Sequence, residues 1–388
     1  MSHVNTVFNQ LLQLIPRHDF EKLVREHRGD RYVKNFTCWK QFITLLYAQV
    51  KGQDSLRDIV TGLNSQSHKL YHLGIEKVSR STLSDANNER DSGICEGLFY
   101  SLLERCESLT PGHGFRFKNP LYSFDSSSFE LCLSIFPWAK YKKTKGALKL
   151  HCLLDHKGCI PSFVAITEGR MHDVKAAKKL DLPLSPDSIV ALDRGYLDYK
   201  YLYNLHCKGV FFVTRTKKNT AYKLTGQHEL PDRPELLGDF LVNFTGVGAM
   251  DDYPDKLRIV WWYDEEKDKV LEFLTNNFDL AAATIVAIYK ARWRIELFFK
   301  WVKQNLKIKS FLGTTQNAVM TQIWVAMCYY LLLSYIKFQT SYRYTLLSLA
   351  RIFKETLMER VSVIDLLSIN PELGPLQFQE LSHQMALF

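Results

Sequence analysis

The sequence predicts an α/β chain in three stretches: a helical N-terminal region, a strand-rich centre and a helical C-terminal region. Three observations lead there. Apolar residues recur at helical spacing through residues 1–110. After the loop Pro111-Gly112-His113-Gly114 they fall into short alternating or continuous runs bounded by turns or charge. From Leu280 onward the period is helical again. With 388 residues, 46% of them hydrophobic and 23% charged, the chain has material for more than one structural unit.

In the first stretch, Phe8, Leu11, Leu12 and Ile15 mark one helix, which Pro16 ends. Phe42, Leu45, Leu46 and Val50 mark a second, and Asp54-Ser55-Leu56-Arg57-Asp58-Ile59 opens a third. His72-Leu73-Gly74 is a turn, and Ser79 caps a polar helix that begins Arg80-Ser81-Thr82. A short helix, a glycine turn and a polar helix suit a DNA-binding unit, with Arg80 as a contact. A plain capped helix fits the same residues. In the centre, Leu121–Leu133, Leu148–Leu154, Phe163–Thr167, Ile189–Leu192 and Val210–Thr214 read as five strands, with a helix at Val174–Leu180. Residues 217–272 keep a strand pattern, strongest at Leu257–Tyr263. Gln316–Ile336 carries no charge, and its polar Thr321, Gln322 and Ser334 suit a buried core helix rather than a membrane span.

The net charge of +9 favours a polyanionic partner, nucleic acid first. None of the eight cysteines forms a C-x-x-C pair, so reduced cytoplasmic thiols are expected rather than a zinc site or a disulfide scaffold. The opening residues MSHVNTVFNQ lack a charged segment followed by an apolar run, so no secretory leader is expected.

Three acidic residues stand out. Asp125 and Asp193 each follow an apolar strand run, where a sheet presents metal ligands, although a turn or cap residue fits each one singly. Tyr289, Arg292, Glu296 and Lys303 fall in one stripe of what reads as a single helix, beside an apolar stripe of Trp293, Leu297, Trp301 and Ile308. This geometry makes Arg292 and Lys303 exposed charges of little weight in stability, and Trp293 a buried anchor. A solvated amphipathic helix would account for Arg292 and Glu296 but not for the tyrosine and tryptophans together. Phosphoryl transfer on DNA accounts for the whole set. Three carboxylates suit a pair of Mg²⁺ ions, with Mn²⁺ able to substitute, and Tyr289, Arg292 and Lys303 would hold phosphate oxygens. Lys140, Lys142, Lys143, Lys145 and Lys149 form a basic segment that suits either a phosphate track or a solvated loop.

Asp125-Ser126-Ser127, Lys142-Lys143-Thr144-Lys145-Gly146, Met171-His172-Asp173, Asp193-Arg194-Gly195-Tyr196 and the run Tyr289–Lys303 resemble the DDE transposases of bacterial insertion sequences. The branch is the one named after insertion sequence four, with its Tyr-Arg-Glu-Lys signature. Tyr32–Trp39 and Ser55-Leu56-Arg57-Asp58 resemble the N-terminal domain of that family.

The resemblance implies a ribonuclease-H-like core (the retroviral-integrase superfamily) over 116–340, interrupted by a β-rich insertion at about 217–272. A helical DNA-binding domain at 1–115 and a helical tail at 341–388 complete it. It implies Asp125, Asp193 and Glu296 as catalytic metal ligands, with Tyr289, Arg292, Lys303, Arg194, Lys142, Lys143, Lys145 and Arg80 on DNA. It also implies Mg²⁺, terminal inverted repeats and target DNA as partners, a homodimer at synapsis, and excision through a hairpin. Relatives carry a tryptophan on the strand before the signature helix; the matching Leu271-Glu272-Phe273-Leu274-Thr275 has none, and Trp261 or Trp262 is the alternative. A nuclease or resolvase without strand transfer, or an inactive remnant, would share most of these residues.

Overall fold

The computed structural model describes residues 5–142, 145–246, 248–306 and 311–368. The first helices are α1 (Val7–Gln13), α2 (Arg17–Glu26), α3 (Cys38–Lys51), α4 (Leu56–Ser65), α5 (Ser67–Leu70), α6 (Arg80–Glu89) and α7 (Gly93–Glu107). The centre runs β1 (Leu121–Leu131), β2 (Lys140–Lys142), β3 (Lys145–Asp155), β4 (Ile160–Glu168), α8 (Asp173–Lys179), β5 (Ile189–Leu192), α9 (Tyr199–Cys207) and β6 (Phe211–Arg215). Then come β7 (Tyr222–Gln227), β8 (Leu236–Phe244), α10 (Ala249–Asp252), β9 (Leu257–Asp264) and β10 (Lys269–Thr275). The chain closes with α11 (Ala282–Ala291), α12 (Trp293–Asn305), α13 (Gln316–Gln339), α14 (Leu346–Thr356) and α15 (Val363–Ser368). Two compact units result. One is drawn from the described parts of 1–111, 130–139 and 300–374, the other from those of 112–129 and 140–299.

The first unit is helical because its sequence supplies both caps and apolar faces. Thr6, Thr37, Ser55 and Ser79 each accept a hydrogen bond from the backbone N–H three residues on, satisfying a donor that the first turn leaves unpaired. Gly52 ends α3 at φ 69°, a left-handed conformation open to glycine without strain. The uncharged run Gln316–Ile336 forms most of α13, apolar on all sides and buried against α3, α6, α7 and α14. α2 is absent from the sequence expectation because it buries only Phe20 and Val24 among seven charged or histidine residues, too few to show a period.

The second unit is built on a sheet of order β2-β3-β1-β5-β6-β10-β9-β8-β7, with β4 paired to β3. The five expected strands are β1, β3, β4, β5 and β6, and the expected helix is α8. β5 lies between β1 and β6, parallel to both. Its four residues are all buried, as befits a parallel strand covered on two faces. Val190 and Leu192 join Tyr201, Leu202 and Leu205 of α9, whereas Ile189 and Ala191 join Ala282, Ile285, Val286 and Ile288 of α11. The strands at 217–272 extend this sheet: β10 pairs antiparallel with β6, and β9, β8 and β7 follow in turn. A buried ion pair fastens them. Arg258 on β9 donates from Nε and Nη2 to Asp239 on β8 at 2.8 and 2.6 Å, and from Nη1 to the Leu280 carbonyl at 2.6 Å. This joins the sheet to the entry of α11.

Candidate active site

The parallel register of β1 and β5 brings the two aspartates together. Phe124 is the last partner of Leu192, so Asp125 and Asp193 are the next residues on adjacent strands. Side chains alternate along a strand. Leu121 with Ile189 and Ala191 lie on the α11 face, and Asp125 and Asp193 share their parity. Both carboxylates therefore face the helices that follow β10. Asp193 also caps the 3₁₀ turn Arg194–Tyr196, accepting the Gly195 N–H at 3.1 Å.

The helix expected over Tyr289–Lys303 is two. α11 ends at Ala291 and α12 begins at Trp293. At the break, the N–H groups of Arg292 and Ile295 each donate to the carbonyl three residues back, tightening the turn. Arg292 is buried there. Its Nη2 donates to Glu296 Oε1 at 2.6 Å and lies 4.0 Å from Asp193 Oδ1, while Nη1 donates to Asp125 Oδ2 at 3.4 Å. One guanidinium thus touches all three acidic residues singled out in the sequence. Its side chain is 10% exposed, against 21% for Asp125, 34% for Glu296 and 41% for Asp193, so the expectation of an exposed Arg292 is corrected.

Burial pushes the Asp125 carboxyl up to about 6, with Asp193 and Glu296 adding to the rise, against the Ser126 N–H and Arg292. Tyr289, at the end of α11, rests on Phe273 and places its ring 5.5 Å from the Arg292 guanidinium carbon. Burial raises its phenol too.

Behind Asp125 lies a network that sequence reasoning missed. Asp173, the first residue of α8, accepts hydrogen bonds from Ser126 Oγ at 2.6 Å and Lys149 Nζ at 3.0 Å. Lys149 also donates to the Met171 carbonyl at 2.8 Å, so this lysine is engaged within the unit and not in a phosphate track. Burial works against ionisation of Asp173, but the Ser126 hydroxyl and the Lys149 ammonium bring its carboxyl below the usual range. The Met171-His172-Asp173 motif was the available signal, but no pattern in the sequence ties it to Ser126.

The other expected contacts are scattered. Arg194 is exposed on the 3₁₀ turn beside Asp193, and Arg80 is exposed at the start of α6. Lys303 lies in the last turn of α12, roughly 10 Å of rise beyond Glu296. Lys143 and the side chains of Lys142 and Lys145 lie outside the described residues. The apolar face of α12 is Ile295, Phe298, Phe299 and Val302, continued by Leu306 just past its end, all buried; Trp293, Leu297 and Trp301 are half-buried, and Ile308 lies outside the described residues. Ile295, Phe298, Phe299 and Val302 follow the i, i+3, i+4, i+7 spacing of a buried helix face, and this competing apolar face is the one the fold buries. Trp261 packs edge-on to Phe240, and Trp262 lies under the Lys290 ammonium.

Among the described residues, no three acidic, histidine or cysteine side chains stand close enough to cage a cation directly. The three carboxylates are gathered instead around the guanidinium. Their hard oxygen donors nonetheless suit a divalent cation such as Mg²⁺.

Comparison with known proteins adds an independent line. The family "Transposase DDE domain" matches residues 116–332, and a domain of unknown function, DUF4372, matches residues 3–76. The chain is 28% identical over 268 residues to a probable transposase for insertion sequence element IS5377 of Geobacillus stearothermophilus, covering 69% of this chain and 70% of that protein. It is 31% identical over 255 residues to a protein of Sinorhizobium fredii provisionally named transposase y4zB, covering 65% of this chain and 69% of that one. A piggyBac transposase synaptic complex with hairpin DNA aligns over 97% of this chain and 83% of that one, at 11% identity and a TM-score of 0.47, too low to bear on the argument.

Proposed function

Because the chain belongs to the Transposase DDE domain family, we propose that it cuts and rejoins DNA at the ends of an insertion sequence, with Asp125, Asp193 and Glu296 as its catalytic carboxylates. The observation that carries this reading is the single guanidinium, Arg292, in contact with all three. Asp125 and Asp193 come from different strands far from Arg292 in sequence, and their convergence with Glu296 on one guanidinium is what a shared site predicts. The core is read as ribonuclease-H-like on its strand order, third-second-first-fourth-fifth from β4 through β3, β1 and β5 to β6.

The carboxylates would hold Mg²⁺, or Mn²⁺ in its place, and Arg292 would give up its central position as they do so. When bound, such ions supply an activated attacking oxygen and charge neutralisation at the leaving one. The protein's own part is placement. The sheet fixes two carboxylates, α12 brings the third, and Asp173 holds Ser126 beside Asp125. Arg292, Tyr289, Lys303 and Arg194 would then meet phosphate oxygens, with Arg80 and the lysines at 142, 143 and 145 reaching DNA further out. Terminal inverted repeats, target DNA, a dimer at synapsis, a hairpin intermediate, membership of the insertion-sequence-four branch and action in the cytoplasm belong to the same reading. So does the division into a DNA-binding region at 1–115, a catalytic region at 116–340 and a tail at 341–388.

The test is Asp125→Asn, nearly isosteric but without the charge. It should abolish Mg²⁺-dependent cleavage of element-end DNA while end binding persists. Wild-type cleavage by the purified variant would remove Asp125 from the chemistry. Strand transfer by the wild type into a second duplex separates transposition from simple nuclease action.

A further inference from the structure

We propose that a basic cleft between β6, the loop leading to β7 and the start of β10 is a groove for the phosphodiester backbone of a DNA strand. The inference rests on the reading above that the chain acts on DNA, and it assigns a surface of which that reading names only Arg194. The cleft encloses about 780 Å³, and Arg194, Arg215, Lys217, Lys218 and Lys269 line it. Among the described residues none of these five is ion-paired with a carboxylate; Lys217 donates to the Leu197 carbonyl at 3.3 Å. A sixth cation, Lys267, is balanced by Asp264 at 4.0 Å. Glu272 is the only carboxylate in the lining, and two hydroxyls occupy it, Thr216 Oγ1 at 3.0 Å and Tyr222 OH at 3.1 Å. The Arg215 Nε is enclosed with no acceptor.

Five cations from three chain segments face the single carboxylate of Glu272, and the positive surplus favours an anionic occupant. A polyanion with regularly spaced charges meets separate cations better than one small anion does. The cleft also borders the candidate active site, because Arg194 in its lining directly follows Asp193. A strand with one phosphate at the carboxylates would therefore run on into this groove. The lining is dominated by cations, so charge would do most of the binding. Recognition here should not depend on sequence.

The experiment uses the full chain and two probes, a mixed-sequence duplex and the corresponding single strand. Affinity is followed by fluorescence anisotropy against salt concentration for wild type, Lys217→Gln/Lys269→Gln and Lys217→Arg/Lys269→Arg. The glutamine pair should lower the log–log salt slope by about two, one unit for each lost phosphate contact. The arginine pair should keep the wild-type slope, and both should melt like wild type. A lower slope on either probe supports the groove, and the probe that loses more identifies the form held. An unchanged slope on both overturns it. Failure of the catalytic reading looks different: Asp125→Asn would then cleave normally whatever the slope.

Discussion

Arg292→Ala removes the one cation that three carboxylates share, and its cost can be bounded. Exposed ion pairs contribute about 0–1 kcal/mol, whereas removing one partner of a buried pair costs about 3–5 kcal/mol. The guanidinium is nearly buried, but its partners are partly open to solvent, with exposures from 21% to 41%. The loss should lie between those limits, at about 2–3 kcal/mol. For a unit of this size that is roughly 5–10 °C in melting temperature.

The assay is calorimetry in chelator, repeated with Mg²⁺, which should restore part of the loss by neutralising the same oxygens. A pH signature accompanies it. The Asp125 carboxyl is raised to about 6, above its unfolded value. The folded state therefore binds a proton more readily, and the stability withheld near neutrality returns as pH falls through that value. Like-charge repulsion left by Arg292→Ala should be relieved over the same window, so the variant's deficit narrows from about pH 7.5 to about pH 5. A variant that melts like wild type in chelator, or a deficit that widens on acidification, would refute the shared-cation argument.

Two further outcomes are expected. Burial holds His151 down to about 4 and His156 to about 3, so the unfolded chain takes up these protons first and stability is lost as pH falls from about 6.5 toward those values; His151→Gln should flatten a urea-stability profile across that window, by up to about 3 kcal/mol, and an unchanged profile would show that this imidazole is not buried neutral. Phe298→Ala should cost about 3–5 kcal/mol because its ring is buried, while half-buried Trp293→Ala should cost clearly less; the reverse order of melting temperatures would restore the tryptophan to the core.

The alternating or continuous apolar runs made β1, β3, β4, β5 and β6 legible, because a strand covered on both faces, or on one, leaves a local pattern. The same logic exposed Asp125 and Asp193 as residues leaving strands. Nothing local revealed that these strands are neighbours, since β1 and β5 are separated by β2, β3, β4 and α8. The break at Arg292 was invisible for a different reason. Ala291, Arg292 and Trp293 include no proline or glycine, and the turn coincides with contacts from the guanidinium to Asp125 and Asp193 on distant strands. The pairs Arg258–Asp239 and Asp173–Ser126 were equally hidden: each joins residues on different elements whose contact depends on how the sheet is assembled.

The register of β1 against β5 also sets which kinds of mutation the site can survive. Backbone ladders are indifferent to side-chain identity, so half-buried Tyr122 can be exchanged for another strand former without moving either aspartate, whereas buried Ser123, Val190 and Ala191 tolerate only changes that conserve volume. Deleting one residue within β5 is another matter. Side chains alternate with a period of two, so the change would turn Asp193 toward α9 and away from Asp125. One residue more in the turn between Thr275 and Ala282 would be taken up outside the ladder. Volume-conserving substitutions should therefore be found along these strands in functional copies of this gene, while insertions and deletions are confined to the connections.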